Sequence, residues 1–163
     1  MSIRVENRIG KRSKSQAFGT NVASSAGTGK LSLDYQRGTE TILIVDDEEP
    51  LRAVIADLLT QLGYRTLCAA NGDDALALAA DYKGRIDLLL SDVVMDGLPG
   101  PELAERLLLS RPELKVIFMS GFADSSLAPD GILEPGTVLV QKPFTIRMLS
   151  SRMREVLDHQ SAG

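Results

Sequence analysis

Cysteine and histidine are almost missing from these 163 residues, with one of each, Cys68 and His159. A single thiol excludes an intramolecular disulfide and suits a reducing cytosol, so a cytoplasmic location is expected. A small apolar residue, buried at a strand end, is the expected place for Cys68. His159 falls at the frayed end of the last expected helix, as a solvated surface residue, so any chemistry must come from other side chains. Long apolar runs are absent too. None approaches the roughly 18 residues that a membrane-spanning helix requires. Basic residues near the start are not followed by an apolar core, which argues against a secretory signal. What remains is an ordinary globular composition, 44% hydrophobic and 25% charged, at a length that suits one domain.

The net charge of −4 is unevenly spread. Residues 1–39 carry seven Lys/Arg against two acids, a net +5, and residues 40–163 carry the other 11 against 20, a net −9. The first segment is rich in Ser, Gly, Lys and Arg and shows no sustained period. It reads as a disordered basic tail, with a basic docking arm as the sharper alternative. Gly27-Thr28-Gly29-Lys30 invites comparison with a phosphate-binding loop, but Leu31 follows the lysine where Ser or Thr is needed, and no strand precedes it. An acidic domain from residue 40 to 160 repels nucleic acid, so neither nucleic acid nor membrane is expected as a partner.

From Thr41 the pattern becomes regular. Residues 41–45 form a continuous apolar run, read as a strand buried on both faces. Leu51, Val54, Ile55, Leu58, Leu59 and Leu62 then share one helical face, ended by Gly63. Residues 64–69 are a second strand. Asn71 caps a helix whose face is Ala75, Leu78, Ala79 and Tyr82. Further strands are expected at 86–91, 116–120 and 137–141, with helices over 101–110 and along Ile146, Leu149, Met153, Val156 and Leu157. Residues 122–136, broken by Pro129, Gly131, Pro135 and Gly136, suit only a short or irregular helix. Strands alternating with helices predict an α/β fold, a doubly wound parallel sheet with helices on both faces. Only residues 160–163 follow the last helix, which leaves no room for an output module.

Ligands of such a sheet bind beyond the carboxyl ends of its strands. Asp46 and Asp47 follow the first strand, Asp92 ends the third, Ser120 ends the fourth, and Lys142 follows the fifth. Two carboxylates about 4 Å apart repel by roughly 4 kcal/mol at an effective dielectric of 20. Three of them call for a cation, and an oxygen-rich pocket with open positions suits Mg²⁺. Such an ion would shield Asp92 from an anionic phosphoryl donor, while Ser120 and Lys142 would bind phosphoryl oxygens. Each residue alone has a plainer explanation: a helix N-terminal charge cluster for Asp46-Asp47, a turn former for Asp92, a solvated lysine for Lys142. The signal is their conjunction at one sheet edge.

The segments Ile42-Leu43-Ile44-Val45-Asp46-Asp47-Glu48, Ser91-Asp92-Val93-Val94-Met95, Met119-Ser120-Gly121 and Lys142-Pro143-Phe144 resemble the four signature segments of bacterial two-component response-regulator receiver domains. Order and spacing match across about residues 40–158. The resemblance implies a flavodoxin-like strand order of 2-1-3-4-5 and a phosphoacceptor at Asp92. It implies Mg²⁺ held by Asp46, Asp47, Asp92 and the backbone carbonyl of Val94. Ser120 would be the switch hydroxyl, Lys142 the phosphate-sensing lysine, and the bond to Pro143 a cis peptide. The donor would be a phosphohistidine on a histidine kinase or histidine phosphotransfer protein, with a downstream protein partner after it. Ser120-Gly121-Phe122-Ala123-Asp124 and Leu133-Glu134-Pro135-Gly136 resemble the receivers of hybrid histidine kinases in particular. Leu139 departs from the Phe or Tyr of many relatives, so a ring-flip signal cannot operate. Asp96 stands where Pro is usual and adds a carboxylate at the pocket mouth.

The sequence therefore predicts a stand-alone phosphorelay receiver, a signalling domain rather than a metabolic enzyme, catalysing only its own phosphorylation and dephosphorylation. Val94 and Phe122 should border the path of attacking water and lengthen the life of the phosphoryl state. A phosphorylation-independent scaffold on the same fold is the rival reading. An aspartyl-phosphate phosphatase is disfavoured, because such enzymes need Asp-x-Asp spacing, and Asp46 and Asp47 are adjacent while Val94 lies two residues after Asp92.

Overall fold

The computed structural model describes residues 35–121 and 138–159. Its centre is β1 (Thr41–Val45), all five residues of which are buried. Removing four aliphatic side chains from water, at about 1.5–3 kcal/mol each, makes this run the anchor of the sheet. Parallel partners flank it, β2 (Arg65–Ala69) on one side and β3 (Leu88–Asp92) on the other. β4 (Lys115–Ser120) pairs with β3, and β5 (Val138–Gln141) closes the row, giving the order β2-β1-β3-β4-β5. This is the flavodoxin-like arrangement that the sequence predicts.

The helices are α1 (Glu49–Gln61), α2 (Gly72–Asp81), α3 (Gly100–Ser110) and α4 (Ile146–Asp158). α1 starts at Glu49-Pro50, where a missing proline N–H costs nothing. It stops where Gly63 takes φ +99°, a conformation that disfavours any side chain. Asn71 caps α2 by accepting from the Asp74 N–H, and Thr145 caps α4 by accepting from the Met148 N–H. α1 touches α4, and α2 touches α3. Leu43, Val45, Leu89 and Phe118 join Ala75, Ala79, Leu103, Ala104 and Leu107 in one apolar cluster. The alternate residues Ile42, Ile44, Leu88, Leu90, Ile117 and Met119 are equally buried, as are Ile55, Leu59, Leu149 and Met153. Period-two alternation thus gives the sheet a covered layer on each face.

Two expectations are corrected. Cys68 is exposed, not buried, because β2 is an edge strand, where only Ala69 is fully covered. Val54 is 55% exposed, so the inner stripe of α1 is narrower than its six apolar residues suggest. Strand and helix ends elsewhere agree with the sequence reading to within one or two residues. Most of the basic tail, the segment 122–136 with Phe122, and residues 160–163 lie outside the described residues.

Candidate functional site at the carboxyl edge of the sheet

Parallel pairing puts the carboxyl ends of β1, β3, β4 and β5 along one edge. Asp92 is in register with Met119, and Ser120 with Gln141. Carboxylate oxygens of Asp46, Asp47 and Asp92 lie within 4.8 Å of one another. Asp46 is fully buried and Asp92 nearly so, whereas Asp47 faces solvent. Lys142, one residue past β5, reaches between two of them. Its Nζ lies 2.9 Å from Asp46 Oδ2 and 2.8 Å from Asp92 Oδ2, with Glu48 further out at 3.7 Å. The Lys142–Pro143 peptide bond is cis.

The electrostatics follow from this packing. Burial pushes the Asp92 carboxyl above its ordinary value; the Lys142 ammonium and the Val94 backbone N–H, which both donate to it, offset only part of that. Burial opposes the charge on Lys142, but its bonds to Asp92 and Asp46 outweigh that and raise it above an ordinary lysine. One ammonium thus offsets charge on two carboxylates that would otherwise repel. Removing either side of such a pair would strand a buried charge.

Ser120 stands out for what it does not do. It is 1% exposed, and its Oγ has no hydrogen-bond partner among the described residues. A buried hydroxyl left unsatisfied costs on the order of 1–3 kcal/mol, and such groups are rare without a reason. Beside it, Leu51, Gly121, Lys142, Pro143 and Phe144 line a hollow of about 370 Å³. Val94, half exposed, and Asp96, exposed, stand just beyond β3. Leu139 lies in β5, packed against the apolar cluster.

The loop after Asp92 returns at once to the sheet. Gly100 N–H donates to Val93 O at 3.0 Å, and a Cβ on Gly100 would fall 2.1 Å from the Asp92 carbonyl oxygen. Only glycine allows α3 to begin this close to Asp92. Three further contacts escape sequence reasoning. Glu48 N–H donates to Asp46 Oδ1 at 2.8 Å, Arg52 Nη1 donates to the Asp46 carbonyl at 2.5 Å, and Ser91 Oγ donates to the Asp92 carbonyl at 2.9 Å. Apolar periodicity carries no trace of them, because each is a polar side chain or amide reaching a backbone or near neighbour.

A five-stranded, doubly wound sheet with an acidic pocket and a half-buried lysine ammonium at its carboxyl edge defines a domain of the flavodoxin-like class. The family model described as "Response regulator receiver domain" matches residues 42–154, and the chain belongs to that family. It is 33% identical over 123 residues to the sensor kinase CckA of Brucella abortus, covering 76% of this chain but 13% of the kinase. It is 32% identical to the response regulator receiver protein CpdR of the same organism, covering 71% of this chain and 95% of CpdR. Against sporulation initiation phosphotransferase F of Bacillus subtilis it is 30% identical, over 75% of this chain and 97% of that one. Some relatives are much longer than the match: the chain spans about half of the Pseudomonas aeruginosa phosphate regulon transcriptional regulatory protein PhoB. Among solved structures, the receiver domain of hybrid histidine kinase CckA superposes with a TM-score of 0.60 at 37% identity, over 72% of this chain and 98% of that domain. No helix among the described residues is long and apolar enough to cross a membrane.

Proposed function

We propose that residues 40–160 accept a phosphoryl group from a phosphohistidine onto Asp92, as a stand-alone receiver in a two-component phosphorelay. The carrying observation is the buried Ser120 hydroxyl, without a hydrogen-bond partner among the described residues, beside a lysine-bridged acidic cluster. A phosphoryl group on Asp92 would give that hydroxyl an acceptor. The donor set is all hard oxygen, three carboxylates within reach of one another, and fits a small divalent cation. Asp46, Asp47, Asp92 and the Val94 carbonyl would hold Mg²⁺, which supplies positive charge against the phosphoryl oxygens. An Asp92 carboxylate oxygen attacks phosphorus, the P–N bond to the donor imidazole breaks, and the nitrogen keeps the electron pair and takes up a proton from solvent. Lys142 keeps one hydrogen bond on the acceptor side and turns to the new phosphoryl oxygens as the charge moves there. Ser120 donates to another of those oxygens.

The stand-alone role is supported by the nearly full-length match to CpdR and to sporulation phosphotransferase F. The hybrid-kinase likeness supports a histidine kinase or histidine phosphotransfer protein as donor, with a downstream protein as receiver of the signal. A cytoplasmic setting accompanies this reading, together with residues 1–39 as a basic appendage rather than part of the phosphoacceptor domain.

The test is intact mass after incubation with acetyl phosphate and Mg²⁺. Wild type is expected to gain one phosphoryl group, and Asp92→Asn none. If wild type gains nothing from either acetyl phosphate or a phosphohistidine protein, the scaffold reading takes over, for which Leu139 in place of a mobile aromatic already speaks.

A further inference from the structure

We infer that Arg52 is a positioning residue for the metal-binding carboxylates, acting through the backbone of Asp46; the inference rests on the reading of the acidic cluster as a Mg²⁺ site. Asp46 lies one residue past the end of β1, so its carbonyl has left the β ladder. The residue is completely buried, and a buried carbonyl needs a donor. Arg52, in α1, supplies it from Nη1 at 2.5 Å, while its own backbone N–H donates to the Glu48 carbonyl at 3.0 Å. Within the same turn, Glu48 N–H fixes Asp46 Oδ1 at 2.8 Å. The backbone bond from Asp46 N–H to Ala69 is long, at 3.4 Å, and holds the turn only loosely. Arg52 thus ties the Asp46-Asp47 turn directly to the helix that follows it. Fixing the carbonyl fixes the peptide plane between Asp46 and Asp47, and with it the direction in which both carboxylates leave the chain.

Two effects of Arg52 on a divalent cation have opposite signs. A guanidinium that merely stood near the cluster would repel the ion, and removing it would tighten binding. A guanidinium that orients the ligands would weaken binding when removed, as loss of outer supports of metal ligands usually does, by about 10–100-fold. The close bond to the carbonyl favours the second.

The experiment titrates Mg²⁺ into the full chain by calorimetry, for wild type, Arg52→Met and Arg52→Lys, with the Mg²⁺-dependent rise in unfolding midpoint as a parallel readout. Arg52→Met is expected to weaken Mg²⁺ by about tenfold and to lose most of that rise in midpoint. Arg52→Lys, which can still donate to the carbonyl, should recover at least half of the lost binding free energy. Unchanged or tighter Mg²⁺ in Arg52→Met overturns the inference while leaving the site itself intact. Should Arg52→Met not fold, Arg52→Gln takes its place: weaker Mg²⁺ binding and a smaller midpoint rise in a folded glutamine variant support the inference, and wild-type binding overturns it. If wild type itself binds no Mg²⁺, the cation reading fails first, and this inference with it.

Discussion

Ser120 carries a hydroxyl unsatisfied among the described residues, at a position where an alanine would fit without loss. Replacing it removes a desolvated polar group and adds no cavity of consequence, since the methyl of alanine retains the Cβ. Ser120→Ala should therefore stabilise the unphosphorylated protein by about 1 kcal/mol, roughly 3 °C in midpoint. The same variant should slow phosphoryl acceptance at least about tenfold, because a donor aimed at developing charge is gone. Thermal unfolding and the rate of mass gain from acetyl phosphate check the two halves, and a destabilised variant would show that Ser120 has a native partner after all. Residues such as this one were legible in the sequence by kind and position. Asp46, Asp47, Asp92, Ser120 and Lys142 all stand at strand ends, so recognising the strands placed the side chains. Their pairing was not legible: that Lys142 bridges Asp46 and Asp92, across 96 and 50 residues of chain, depends on the sheet having closed.

Elements were legible where one strong signal dominated. β1 is a buried run with no polar interruption, and its observed bounds coincide with that run. The cap at Asn71 followed from local hydrogen bonding alone. Val54 and Cys68 misled because apolar character says that a residue can be buried, whereas edge position and helix rotation decide whether it is. Long-range clamps between elements left no signal at all. Arg111, just past α3, donates to the carbonyls of Ala79, Tyr82 and Gly84, and so closes the carboxyl end of α2. A cation there satisfies orphan carbonyls and opposes the negative end of the helix dipole. Arg111→Ala should cost about 2 kcal/mol and raise amide exchange in the last turn of α2 well before the sheet opens. Uniform exchange across α2 and the sheet would show that the clamp is shared by other contacts.

Across the whole molecule, Arg154 of α4 makes a two-pronged pair with Glu40, which lies immediately before β1, at 2.8 and 2.9 Å, and also bonds Asp158 and the Tyr64 hydroxyl. The Arg154 guanidinium holds the Glu40 carboxyl below its ordinary value of 4.5. A carboxyl lowered by folding adds stability above its unfolded value, and that stability is lost as pH falls through the folded one. Solvent screens the pair, so its worth at pH 7 is about 1 kcal/mol. Glu40→Gln should therefore unfold more easily at pH 7 by that amount and match wild type once the pH has fallen below the lowered folded value of Glu40, where both side chains are neutral. Denaturant titrations from pH 7 down through the acid range decide it; a deficit that stays equal throughout would mean that shape, not charge, is what Glu40 contributes.

Lys115, at the start of β4, bonds the carbonyls of Val156, Leu157 and His159 at the end of α4. With Glu40 and Arg154, and with Asp87 holding the Thr41 N–H at 2.8 Å, it rivets the edge of the sheet opposite Asp92. The domain is thus built like a bench vice, with a bolted base and working jaws. The segment that enters β1 at Glu40 is held by contacts that involve none of the side chains gathered around Asp92.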